Sequence, residues 1–127
     1  MQAQKEVCRN ILKNICKMRY KQRDIVEVNF LFPNGESKPH MAVVVSNDEL
    51  QEDDDVIYLA LISSKNYLPK YTYPLSNEML SKPLAKQSYV ICQIISGYTE
   101  RDILKKCSRI SDAYFKEIVE KIKISIF

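Results

Sequence analysis

Asp24-Ile25-Val26-Glu27-Val28-Asn29-Phe30, with Pro33-Asn34-Gly35 shortly after it, decides the fold class. Apolar and polar side chains alternate along the first stretch, as they do on a pleated strand with one face buried. Proline then presets φ and glycine tolerates the left-handed region, so the chain turns back on itself. A β-hairpin opens the domain.

Working outward toward the carboxyl end, Met41 to Ser46 is a β-branched run suited to the returning strand, and Asn47 to Asp55 reads as a polar loop. Val56 to Ile62 is apolar but short, which suits a buried strand better than a helix. Tyr71-Thr72-Tyr73-Pro74-Leu75 and Tyr89-Val90-Ile91-Cys92-Gln93-Ile94-Ile95 continue the strand series, and a single helical turn is expected within Glu78 to Leu84. Thr99 to Ile110 carries no decisive pattern. Ser111 then caps a helix in which Tyr114, Phe115, Ile118, Val119, Ile122 and Ile126 recur at helical spacing. On the other side of the hairpin, Val7, Cys8, Ile11, Leu12, Ile15 and Met18 predict an amphipathic helix over Ala3 to Met18. Short strands in series between two helices predict a mainly β protein, a small antiparallel barrel or strongly curved sheet.

With 127 residues, 46% of them hydrophobic, the chain supports one core and leaves no room for a second domain. The expected division is a helical extension over residues 1–19 and a barrel domain over 20–127. The net charge of +3 is weaker than the footprint of a protein that grips duplex DNA through many phosphates, and it permits an RNA partner. Four scattered cysteines, none in a CxxC pair, suit reduced thiols in the cytosol. Lys13 and Lys17 interrupt the apolar residues that a signal peptide would need, and no apolar run is long enough to span a bilayer. A cytoplasmic protein without a membrane partner is expected.

P-loop, GxSxG, HExxH and GxGxxG signatures are missing, and a lone histidine has no second one with which to share a metal. No cofactor and no metal are therefore expected. His40 is the one residue of the type that titrates near neutrality, which makes it the candidate for moving protons. Ser63-Ser64 followed by Lys65 places two hydroxyls and a cation where a strand opens into a loop, a cluster that can hold phosphate oxygens. On local composition alone, a turn capped by serines is the simpler reading. Several of the tyrosines could stack on unpaired bases, although Tyr71 and Tyr73 share a sheet face as packing also requires.

Four segments in order resemble the MazF/PemK/Kid family of bacterial toxins. Gln22-Arg23-Asp24-Ile25-Val26-Glu27-Val28-Asn29-Phe30 resembles its opening "GDIV-V-F" strand, and Ala42-Val43-Val44-Val45-Ser46-Asn47-Asp48 its "AVVVSND" strand and turn. Leu61-Ile62-Ser63-Ser64-Lys65 resembles "PITS", and Ser88-Tyr89-Val90-Ile91-Cys92-Gln93-Ile94 the strand ending in "DQI". The resemblance implies an SH3-like barrel that forms a homodimer, is neutralised by a cognate antitoxin, and cuts single-stranded RNA without a metal. In the implied reaction the ribose 2′-hydroxyl attacks the adjacent phosphate, leaving a cyclic phosphate and a 5′-hydroxyl.

Carried over residue by residue, Ser63 stands for the family's catalytic threonine and Ser64 for the serine beside it, and His40 falls on the arginine of "RPA", with Met41 for its proline. Arg23 replaces the opening glycine, and Cys92 stands where some members carry an acidic base. Arg23, Lys38 and Lys65, with Gln93 on the "DQI" strand, are the expected RNA contacts. The lost arginine and acid keep open a non-catalytic barrel of the same fold that binds RNA or a protein target, as CcdB-like gyrase poisons do. A plain interaction domain is the third reading.

Overall fold

The computed structural model describes residues 20–127. The helix expected over Ala3 to Met18 lies outside them. Six strands form one antiparallel sheet: β1 (Asp24–Leu31), β2 (Ser37–Val44), β3 (Ile57–Ser63), β4 (Thr72–Leu75), β5 (Ser88–Tyr98) and β6 (Ile103–Arg109), in the order β4-β5-β3-β2-β1-β6. Among the described residues, two α-helices interrupt and close the series, α1 (Asp48–Asp54) and α2 (Asp112–Ile126).

The hairpin forms as the sequence predicts, with Leu31 paired to Ser37 and Gly35 at φ +88° in the turn. Alternation along β1 is less clean than a one-faced strand requires, because Ile25, Val26 and Val28 are all fully buried. The sheet is covered on both faces. Ile25, Val43, Ala60 and Ile62 pack with Phe115 and Ile118 of α2, while Val26, Val28, Ala42, Val44 and Leu59 form a second cluster with Ile103. Burying each such side chain contributes about 1.5–3 kcal/mol. Register shifts within the β1–β6 and β3–β5 pairings sharpen the curl.

The curl is barrel-like, but the ladder does not close into the expected barrel. Between the two edges, an isolated bridge from Leu80 to Ile110 takes the place of a ladder, and the Ser108 hydroxyl adds bonds to the Lys82 N–H and carbonyl. Asn47 to Asp55 is likewise not a loop. Asn47 Oδ1 accepts from Leu50 N–H at 2.8 Å and starts α1, with Asp48 and Glu49 in the first turn. Gln51 is buried and donates to the Ser46 carbonyl, so tertiary burial holds a helix that no apolar stripe announced. The helical turn expected within Glu78 to Leu84 is a 3-10 turn over Asn77–Met79.

Where β1 begins, Arg23 sits at φ +82°, a conformation that favours glycine. Its N–H bonds to the Val44 carbonyl and its carbonyl accepts from Ile110 N–H, so neighbouring strands fix the strained residue from both sides. Next to it, the buried Asp24 carboxylate is bonded by the Lys21 N–H, Arg109 at 2.8 Å and Lys106 at 3.3 Å. This knot ties the first strand to the edge strand β6.

Candidate active site

The pairing of β2 creates an opening at one rim of the sheet. Ser37 to Met41 pair with β1 alone, whereas β3 pairs with β2 only from Ala42 to Val44. Pro39 has no N–H to offer a second neighbour, which suits the side of β2 left open there. Between this free half of β2, the end of β3 and the start of β5 lies a cleft of about 330 Å³. His40, Ser63 and Ser64 all line it. The three residues singled out for chemistry are thus brought together by strand register, 23 positions apart in the chain for His40 and Ser63 (63 less 40).

Each side chain is oriented. A His40 ring nitrogen, Nδ1, lies 3.3 Å from the Met41 carbonyl, and since a carbonyl only accepts, Nδ1 carries the proton and donates. Nε2 is left to exchange a proton with a ligand. The rings of Phe30 and Phe32, edge to face with each other, stand 6.3 and 6.2 Å from the imidazole and wall it on the hairpin side. Ser63 Oγ accepts from the Lys65 N–H at 3.1 Å, so the serine does cap its turn. Its own O–H remains available to donate.

The remaining expected contacts do not line the cleft. Arg23 directs its guanidinium to the Ile110 carbonyl at 3.4 Å. Lys38, two residues from His40, pairs with Glu36 at 3.2 Å on the surface. Lys65, which follows Ser64 in the chain, places its ammonium over the Tyr67 ring. Gln93 lies within the irregular part of the β3–β5 pairing, with its side-chain oxygen buried and unpaired among the described residues.

Cys92 is fully buried and donates to the Val90 carbonyl. Burial pushes its thiol up to about 11, so it does not replace the acidic base that stands here in some family members. Two charged residues that the sequence reading passed over do line the cleft, Glu27 from β1 and Lys86 from the β4–β5 connection. Glu27 looked like an ordinary solvent-facing member of an alternating strand. Lys86 stood in a segment without pattern, and no local signal marks it.

A hollow of about 350 Å³ beside Tyr20, Gln51 and Ile57 is slightly larger, but no imidazole lines it. No group of three or more His, Cys, Asp or Glu side chains among the described residues is arranged to hold a metal ion. No helix among them is long and apolar enough to cross a membrane.

The family model for the PemK-like, MazF-like toxins of type II toxin–antitoxin systems matches residues 21–126. The chain belongs to this family. Solved structures show the same fold at low identity. The toxin MazF-mt6 of Mycobacterium tuberculosis superposes with a TM-score of 0.66 at 12% identity, covering 83% of this chain and 99% of that one. An endoribonuclease in complex with its cognate antitoxin, from a mycobacterial species, gives 0.68 at 10% identity over 83% and 92%. MazF of Deinococcus radiodurans gives 0.66 at 11% identity over 83% and 94%. No curated protein matched by sequence.

Proposed function

We propose that this PemK/MazF-like toxin is a cytoplasmic endoribonuclease that cuts single-stranded RNA without a metal and is held in check by a cognate antitoxin. The observation that carries this reading is the meeting of His40, Ser63 and Ser64 in one cleft of a chain from this family. The names of its structural neighbours, an endoribonuclease with its antitoxin and a MazE–MazF complex, support the partner class. A homodimer is the expected assembly.

The chemistry asks for a proton acceptor at the ribose 2′-hydroxyl, a proton donor at the departing 5′ oxygen and donors for the charged phosphorane. His40 Nε2 handles one of the two protons. Ser63 and Ser64 donate hydroxyl hydrogens to the non-bridging phosphate oxygens, and Lys86 supplies the fixed positive charge that the histidine does not. Lys38 and Lys65, outside the cleft, meet the flanking backbone, where charge matters more than geometry.

Incubating purified protein with a long single-stranded RNA in EDTA, followed by analysis of the new ends, tests the reading. Discrete cuts with cyclic phosphate and 5′-hydroxyl ends are expected, and His40→Ala lowers the rate by about two orders of magnitude or more with the fold intact. Intact RNA from a folded wild-type protein overturns the nuclease and leaves a non-catalytic barrel that binds RNA or a protein target.

A further inference from the structure

Moving one proton onto and one off the RNA takes two groups, and the hydroxyls of Ser63 and Ser64 hold theirs too tightly to serve as the acceptor. Of the described residues lining the cleft, Glu27, His40 and Lys86 carry the acidic and basic side chains. Glu27 is the only carboxylate among the described residues that line it. It is half-buried in mid-strand on the face of β1 that carries the fully buried Ile25, and it makes no hydrogen bond or ion pair with another described residue. A half-buried carboxylate that makes no short-range bond to its neighbours keeps its oxygens available to a ligand in the cleft.

Register adds a second, geometric argument. Val28 pairs across from His40, and Glu27 pairs across from Met41, so Glu27 and His40 leave adjacent strands toward opposite faces. Both reach the cleft because it opens through the rim where β2 parts from β3. Displacement at phosphorus needs its entering and departing oxygens roughly in line, on opposite sides of the reacting centre. A base and an acid set on opposite sides of one cleft meet that demand.

Resting on the nuclease reading above, we infer that Glu27 is the base that takes the 2′-hydroxyl proton, which assigns the acid to His40. The 2′ oxygen then bonds to phosphorus as its proton passes to the Glu27 carboxylate. His40 enters the step doubly protonated, Nδ1–H held on the Met41 carbonyl, and the bond from phosphorus to the 5′ oxygen breaks as that oxygen takes the Nε2 proton and leaves the ring neutral. Charge and atoms balance, and the two residues recover their starting states by exchange with water. The groups that surround Glu27 are His40 on β2, Lys105 directly across on β6, Cys107 further along β6 and Lys86 in the facing loop.

Cleavage rate against pH, measured for wild type, Glu27→Gln and His40→Gln on one RNA, tests the assignment alongside binding of the same RNA carrying a 2′-deoxy sugar at the cut. Wild type gives a bell. Glu27→Gln is expected to cut at least about 100-fold more slowly, to lose the acidic limb while keeping the alkaline one, and to bind the deoxy RNA as tightly as wild type or more so. If wild type cuts and Glu27→Gln cuts equally fast with an unchanged bell, the assignment fails and the nuclease reading stands. Loss of binding in step with loss of rate, with both limbs kept, makes Glu27 a positioning residue and overturns the assignment as well. If folded wild type leaves the RNA whole, both readings fall together.

Discussion

Replacing Asp24 by Asn tests whether the buried ionic knot at the start of β1 holds the sheet's edge in place. The carboxylate is 1% exposed and receives three donors: Arg109 at 2.8 Å, Lys106 at 3.3 Å and the Lys21 N–H at 2.9 Å. Lys106 is 47% exposed, so its share is screened and adds at most about 1 kcal/mol. The Arg109 bond and the backbone bond are charge-assisted and contribute about 1.5–3 kcal/mol each. Asparagine fits the same space and still accepts one hydrogen bond, but its amide nitrogen must then face a cation or the backbone donor. Asp24→Asn should therefore destabilise the fold by about 2–3 kcal/mol, and Asp24→Ala by about 4 kcal/mol. For a domain of this size the asparagine variant melts roughly 10 °C lower. Urea denaturation followed by circular dichroism measures the loss directly, and a double-mutant cycle with Arg109→Met isolates the pair, with about 1–2 kcal/mol of coupling expected. A stability change below about 0.5 kcal/mol in Asp24→Asn, or no coupling to Arg109, refutes the knot as a stabilising element.

Two further outcomes follow from displaced titrations. Cys92, fully buried and pushed up to about 11, should resist iodoacetamide in the folded protein at pH 8 and react once urea unfolds it, as read by mass spectrometry. Tyr73, half-buried with its hydroxyl donating to Glu117 at 3.2 Å, is raised to about 12 mainly by burial and then by that carboxylate. Since the folded value lies above the unfolded one, its contribution is complete below pH 10 and disappears as pH rises toward 12. The urea midpoint should fall across that window, and less steeply in Tyr73→Phe.

The elements legible in the sequence are those whose side chains obey one local rule. Ile25, Val26 and Val28 with Pro33-Asn34-Gly35 announced the hairpin, the apolar run to Ile62 announced β3, and Phe115, Ile118 and Ile122 announced α2. Elements held by distant partners were not. The Asn47 cap and two acids opened α1 without an apolar stripe, and Gln51, which anchors it, is polar. Strand β6 carries Lys105 and Lys106 side by side, and two register shifts against β1 break its alternation, so no period marked it. The first half of β2 is exposed and contains Pro39, which reads as loop until β1 is seen to pair with it.

The same division runs through the site. Residue type singled out His40 as the candidate proton carrier, while Ser63-Ser64 read as a capped turn until the family resemblance made them candidate hydroxyl donors. Which of them share a cleft was decided by register, through the parting of β2 from β3 beyond Ala42. That parting draws in Glu27 and Lys86 and leaves Arg23, Lys38, Lys65 and Gln93 outside the lining. Along a strand, the chain determines which face a side chain takes. Whether that face meets core, water or a cleft depends on a neighbouring strand tens of residues away, and only the folded sheet settles it.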